Sequence, residues 1–327
     1  MSNQTQRLQL PSTVMQDRIL WRYAVVLVVM HALALLAVIP WLFTWTGLIA
    51  CVVGVFFFGQ GINFCYHRLL THRSFVVPKW LERFWVVIAL CCLEDTPCKW
   101  VTTHRHHHKH SDHEDDPHSP LVTFLWSHFQ WVTRHNTATR TTDAYHYYTK
   151  DILSDPFYMA LEKRLLLAPM IFLAHAALFL VAGYGIGWWQ TGTMAGALQM
   201  GLSLLVWGVF LRVVLVWHIT WSVNSLTHTW GYRNHDTPEH SRNNWIVALL
   251  AVGEGWHNNH HHDQASASNQ HRWWEIDLTY YHIALLKRLG LARKVVAPKH
   301  IRRAAQAERR LEAAPQTEQR STADAGV

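Results

Sequence analysis

Residues 24–66 read AVVLVVMHALALLAVIPWLFTWTGLIACVVGVFFFGQGINFCY, without one Lys, Arg, Asp or Glu, and HRLLTHR (67–73) follows at once. One bilayer crossing takes about 20 apolar helical residues. The run is 43 residues long, so it reads as two crossings joined by a turn within 40–47. A second uncharged run, 165–211, has 47 residues and reads the same way. Its turn is expected at Gly183-Tyr184-Gly185-Ile186-Gly187, with Trp188 and Trp189 as interface anchors. Two hairpins bring the chain back to one side of the membrane each time. On this reading all 29 Lys and Arg residues lie outside the hairpins and on that side. The positive-inside bias then makes it cytosolic, with both termini there.

The expected fold class is therefore an all-α integral membrane protein. Four transmembrane helices form two hairpins, about 24–66 and 165–211. A cytosolic helical cap, built from 67–164 and 212–300, holds a dinuclear metal site. Residues 1–20 are a polar cytosolic segment, 21–300 the membrane domain, and 301–327 a charged tail, a frayed helix passing into disorder. The apolar stretches 84–93 and 245–252 are too short to span and read as interfacial or buried helices of the cap.

Composition supports this. Half the residues are hydrophobic and 16% are charged, against about 25% in a typical soluble chain. The net charge of +7 comes without a basic stripe interleaved with aromatics, which argues against nucleic acid. Basic residues beside membrane spans account for it. The five cysteines form no CxxC pair and read as small buried hydrophobes rather than a disulfide frame. The first 20 residues lack the apolar core and cleavage site of a signal peptide.

Three histidine clusters lie just outside the apolar runs: HRLLTHR, then HRHHHKH at 104–110, then HNNHHH at 257–262. Spacings of three and four put His104, His107 and His108 on one helix face, and likewise His257, His260 and His261. His67 and His72 are five apart, about 140° around an ideal α-helix, so they need not bind the same ion. Eight or more imidazoles suffice for two metals. A lone Glu-x-x-His, Glu254 to His257, makes the site histidine-rich, unlike the carboxylate-rich soluble di-iron bundles. Imidazole suits Fe, Zn, Cu and Ni, and the ribbon or finger spacings of structural zinc are absent.

These boxes resemble those of the membrane fatty-acid desaturases, in particular the delta-9 branch with its stearoyl-CoA and cyanobacterial acyl-lipid types. The matching residues are His67-Arg68-Leu69-Leu70-Thr71-His72-Arg73, His104-Arg105-x-His107-His108-Lys109, Asp116-Pro117-His118, Asn224-Ser225-x-x-His228 and Gly253-Glu254-Gly255-x-His257-Asn258-x-His260-His261. The resemblance runs over 45–292. It implies two iron ions (Fe2+) held by His67, His72, His104, His107, His108, His228, His257, His260 and His261, with Asn224 acting through a water. His106 and His262 depart from the ligand pattern. So do His31, His113, His175, His240 and His271, which read as packing or surface residues.

Asp112, Asp116 and Glu254 are candidates to accept the free ring N–H of a ligand histidine. Arg68, Arg73 and Arg105 would meet a headgroup or electron donor, or simply complement acids. Thr220 and Trp221 match positions at the bend of an acyl tunnel, with Cys91, Cys92 and Leu93 as further lining.

The reaction implied is O2-dependent introduction of a cis double bond, at carbon 9, into a saturated acyl chain carried on lipid or CoA. Electrons would come from an external ferredoxin, cytochrome b5 or reductase. Vertebrate acyl-CoA desaturases carry an Arg-Asp pair where this chain has Thr102 and Thr103, which tilts the carrier toward acyl-lipid. The same histidine architecture serves hydroxylases and ketolases. A histidine-rich metal transporter would instead place its ligands within the spans.

Overall fold

The computed structural model describes residues 7–309. Four helices are long and apolar enough to cross a membrane: α1 (Trp21–Val38), α2 (Trp45–Thr71), α8 (Leu167–Thr191) and α9 (Met194–His228). Between them lie α3 (Lys79–Leu90), α4 (Pro97–His110), α5 (Phe124–His128), α6 (Thr142–Leu153) and α7 (Pro156–Lys163). After them come α10 (Trp245–Leu250), α11 (His257–His262) and α12 (Leu278–Arg288). The short apolar stretches expected as cap helices are α3 and α10.

The membrane helices pack in an apolar cluster that joins Met30 and Ala34 of α1, Phe172 and Ala176 of α8, and Val209, Val213 and Trp217 of α9. A second cluster lies under the cap, where Phe64, Tyr66 and Leu69 of α2 meet Trp85, Val86 and Ala89 of α3. The other faces of the spans stay apolar and exposed, as at Val28 and Leu173, the pattern of helices solvated by lipid.

At 1.5 Å per residue, α2 and α9 are about 40 and 52 Å long, and a hydrocarbon core is about 30 Å thick. Both therefore project beyond the membrane, and their projecting ends carry His67 and His228.

Several expectations need correction or completion. The second hairpin does not turn at 183–187. Those residues lie inside α8, and the turn is at Gly192, in the left-handed region at φ 63°, followed by Thr193, whose side chain caps α9. Gly183 and Gly187 instead let α9 approach: a Cβ on Gly187 would lie 2.3 Å from the Gly196 carbonyl oxygen. The small-xxx-small spacing is a packing device here.

Nor does the second hairpin end at residue 211. The helix runs on to His228, and Arg212 is buried within it, so the basic residues do not all lie outside the hairpins. The Arg212 guanidinium donates to the Cys91 and Gly208 carbonyls and stacks on Phe58, which satisfies it without a carboxylate. Its charge therefore does not mark a helix end.

The N-terminal segment is not merely a polar lead. Val14–Ile19 forms a strand, β1, antiparallel to β2 (Arg134–Asn136), pairing Val14 with Asn136 and Met15 with His135. Of the tail expected at 301–327, residues 301–309 are helical, and 310–327 lie outside the described residues. Finally, Cys91 and Cys92 pack in the apolar core, while Leu93 alone of those three lines the cavity described below.

Candidate metal centre

The last part of α2, Gly61–Thr71, is a π-helix. Its i→i+5 bonding continues to its end, where the His72 amide donates to the His67 carbonyl at 3.1 Å. Residues five apart then stack on one face, so His67 and His72 come together instead of diverging by 140°. Their ring centroids are 4.8 Å apart.

Two groups of imidazoles result. His67, His72, His104, His108 and His260 each bring a ring nitrogen within 4.8 Å of the others, and His107, His228, His257 and His261 do the same. The two are adjacent, since α4 and α11 each contribute to both. On α4, His104 and His108 face the first group and His107 the second. On α11, His260 faces the first, and His257 and His261 the second. His67, His107, His228, His257 and His260 are buried.

These nitrogens cannot satisfy one another. The His228 Nδ1–H donates to Asp112 Oδ2 at 2.7 Å, so its Nε2 presents a lone pair. The His257 Nε2 faces that atom at 3.1 Å and the His261 Nε2 at 3.0 Å, and a single N–H serves only one of them. His260 has the same conflict, facing His67 and His108 Nε2 at 3.1 Å each. His108 in turn faces His104 at 3.0 Å. Two nitrogens bound at right angles about 2.1 Å from one ion lie ~3.0 Å apart. The donor set therefore fits a metal cation in each group.

Protonation points the same way. Burial, reinforced by neighbouring imidazoles, holds His72, His104, His108, His257, His260 and His261 well below the ordinary imidazole range. They are neutral, the form that binds metal.

Carboxylates fix the rings from behind. The His107 Nδ1–H donates to Asp116 Oδ1 at 3.0 Å. The His67 Nδ1 sits 3.0 Å from Glu254 Oε2, off the line of a straight hydrogen bond. The His261 Nδ1 is 3.6 Å from Glu239 Oε1. Burial alone would raise the Glu254 carboxyl; Arg68 and His67 outweigh it and hold it down to about 2. Asp112 and Asp116 are likewise lowered, because their imidazole partners and hydrogen bonds outweigh burial. His118 joins His107 around Asp116 in a third grouping. With its Nδ1 3.8 Å from the Asp116 oxygen that His107 already uses, it extends the support rather than forming a separate centre.

A cavity of about 330 Å³ leads away from both groups. His67 and His104 line it from the first group and His257 from the second, with Asn224 beside them. Ile62, Leu90, Leu93, Trp217, Thr220 and Trp221 make much of its wall. The Thr220 hydroxyl donates to Glu94 Oε1 at 2.9 Å, and the Trp100 indole, stacked on His104, donates to Glu94 Oε2 at 3.3 Å. An apolar slot ending at two imidazole groups is shaped for an alkyl chain.

Residues 40–295 match the model of the fatty acid desaturase family. The chain is 41% identical over 285 residues to the sn-1 stearoyl-lipid 9-desaturase of Anabaena variabilis, covering 87% of this chain and 96% of that one. It is 43% identical over 279 residues to the sn-2 palmitoyl-lipid 9-desaturase of a Nostoc species, covering 85% and 90%. A Synechocystis sn-1 stearoyl-lipid 9-desaturase is 40% identical over 269 residues, covering 82% and 77%. The chain belongs to the fatty acid desaturase family.

Within this family member, the structure brings together all nine histidines singled out in the sequence. It places Asp112, Asp116 and Glu254 behind three of them, and Asn224, Thr220 and Trp221 along the cavity. His106 bonds to the Tyr148 hydroxyl and the Asp115 carbonyl, and His262 stacks on His235, so both stay outside the groups. The three arginines complement acids. Arg68 is buried between Glu254 and Asp277, at 2.8 Å from each, and Arg73 and Arg105 pair with Asp151.

Two residues escaped sequence reasoning. Glu239 lies in the irregular TPEHS stretch, and Glu94 in LEDTP, which reads as a turn. Neither has a spacing that would have marked it.

Proposed function

We propose that this chain is an acyl-lipid desaturase that introduces a cis double bond at carbon 9 of a saturated chain. The observation that carries the reading is the apolar cavity running from membrane helices to two groups of imidazoles, four of which have a carboxylate behind them. The balanced reaction converts –CH2–CH2– plus O2, two electrons and two protons into –CH=CH– and two waters. Two iron ions, one in each group, supply the O2 chemistry when bound. His67, His72, His104, His108 and His260 hold one ion, and His107, His228, His257 and His261 the other, with Asn224 acting through a water.

Asp116 and Asp112 keep the His107 and His228 rings turned with Nε2 inward, and Glu254 and Glu239 stand behind His67 and His261. Thr220, Trp221 and their neighbours hold the chain in one conformation and present one pair of methylenes. The apolar wall excludes water from the reacting carbons. The electrons come from an external ferredoxin, cytochrome b5 or reductase that docks on the cap at the cytosolic face.

Lipid as the carrier is supported by the names of the most similar relatives. It is supported too by Thr102 and Thr103, which are buried and uncharged where a coenzyme A site would want ions. The test is fatty-acid profiling of a host expressing the wild type beside His107→Ala. The expected outcome is a new monoene, lighter than its parent by two hydrogens, with the wild type alone. A product heavier by one oxygen would make the enzyme a hydroxylase or ketolase, and equal monoene from both strains would remove the metal reading.

A further inference from the structure

The residues that line the cavity are unequal in exposure. Arg22, Val26, Leu165 and Pro169 are the exposed ones among them. All four cluster around the starts of α1 and α8, Arg22 and Val26 in the opening turns of α1, Leu165 just before α8 and Pro169 in its first turn. A lining residue that is also surface-exposed marks an opening, so the cavity opens between these two helix ends. The surface around the opening mixes apolar and basic residues: Trp21, Leu166 and Met170 are each more than 60% exposed, and Lys163 and Arg164 beside Leu165 are exposed too. Aromatic and basic residues side by side suit the membrane–water interface, where headgroups meet acyl chains.

The polar groups at this opening have an excess of positive charge. Arg140 is tied to Asp95 at 3.4 Å and lies over the Tyr23 ring. Lys99 reaches Asp95 and Glu162 only at 3.8 and 3.9 Å. Among the described residues, no carboxylate lies within 4.0 Å of the exposed Arg22 guanidinium, which lies over the Tyr23 ring at 5.0 Å. In the lining, Arg22, Lys99 and Arg140 face Asp95, Glu162 and Glu94, and the exposed Lys163 and Arg164 beside Leu165 leave the rim positive, with Arg22 the most accessible of the lining cations.

The geometry points to a lateral portal between the cytosolic ends of α1 and α8, through which a glycerophospholipid inserts one acyl chain from the bilayer while Arg22 and Lys99 hold its phosphate. The inference rests on the acyl-lipid reading and deepens it. It names the substrate class as a phosphodiester lipid and gives its route of entry. A guanidinium suits this role, because it presents paired N–H donors to two phosphate oxygens at once. Placed at the membrane surface, it meets the phosphate at the depth where headgroups lie.

The test uses the metal-loaded enzyme in nanodiscs, supplied with a suitable electron donor. Three substrates are compared: distearoyl-phosphatidylglycerol, distearoyl-monogalactosyldiacylglycerol (which has no phosphate) and stearoyl-CoA. Arg22→Gln is expected to lower the phospholipid-to-galactolipid ratio of kcat/KM about tenfold, the loss of one charged hydrogen bond, mainly through KM. Leu166→Cys, beside the opening but outside the cavity lining, provides a second route, since all five native cysteines are buried. A bulky maleimide on it should stop turnover of phospholipid in the disc, and the unlabelled variant should turn over.

An unchanged ratio in Arg22→Gln overturns the phosphate site, and labelled Leu166→Cys working at the unlabelled rate overturns the portal. Either result, with wild-type desaturation intact, leaves the desaturase reading standing. Conversion of stearoyl-CoA alone overturns the lipid reading and the portal with it, and no product from any of the three overturns the desaturase reading as well.

Discussion

Replacing Asp116 by Asn tests the four-histidine group with the smallest chemical change. The Asp116 carboxylate is fully buried and accepts three N–H groups: the His107 Nδ1 and the His118 amide at Oδ1, both at 3.0 Å, and the Asp112 amide at Oδ2, at 2.8 Å. An amide side chain has one acceptor and one donor end. If its oxygen takes the Oδ1 position, its NH2 meets the Asp112 N–H. If it is flipped, its NH2 meets the His118 N–H and pushes His107 into the tautomer whose proton sits on Nε2, the ligating atom.

A buried donor left without an acceptor costs about 1–3 kcal/mol. Changes to such supporting partners weaken metal binding by roughly 10–100-fold. The expected result of Asp116→Asn is therefore selective. The four-histidine group releases its ion at about 10–100-fold lower chelator activity, the five-histidine group keeps its own, and desaturation is lost. Elemental analysis across a chelator titration reads this directly, with circular dichroism to show that the helices remain. Asp115→Asn, at a half-exposed neighbour, serves as control. Asp116→Asn holding both ions as tightly as wild type would refute the argument that carboxylates set the ligand tautomers.

Glu94 gives a pH prediction: burial, only partly opposed by Thr220 and Trp100, pushes its carboxyl up to about 8. A raised carboxyl contributes its stability in full below its ordinary pKa and loses it as pH rises through 8. Filling the cavity with an alkyl chain further disfavours the anion, so KM for lipid should climb above pH 8 and Glu94→Gln should flatten that limb; a wild-type KM constant from about pH 7 to 9 would count against it. Arg68→Leu strands the Glu254 and Asp277 carboxylates in the interior, and should cost about 3–5 kcal/mol, seen as lost thermal stability in detergent. Gly187→Val should separate α8 from α9 and lower stability by at least 1–3 kcal/mol, whereas Gly185→Ala, with nothing within 4 Å of its Cβ, should be neutral; equal melting of the two variants would dismiss the close-packing account.

Much of the architecture was legible because charge and hydrophobicity act over whole segments. Two uncharged runs dictate two hairpins whatever the details of packing. Histidines three and four apart on α4 and α11 must share a face, so those parts of the site followed from helical period alone. The misreadings came where one residue type has two physical uses. Glycines at 183 and 187 suit a turn as well as a close helix contact, and only the partner helix decides between them. Arg212 ends a hydrophobic run by composition, yet the carbonyls of Cys91, just past α3, and of Gly208 in α9 satisfy it inside one. His67 and His72 looked divergent because the α period was assumed, and the π segment is invisible to a count of residues. Glu94 and Glu239 act through contacts distant in sequence, to which no local pattern refers.

The widened turn at the end of α2 ties the membrane half of the molecule to the cap. Gly47, near the start of α2, is fixed against Ser203 and Trp207 of α9, and His67 must arrive twenty residues later facing the ions. Losing or gaining one amino acid between them would swing everything beyond by about 100° and aim the first ligand away from its ion. Length here is quantised: natural variants of this enzyme can vary in the loops at either end, while this interval must keep its number of residues through descent.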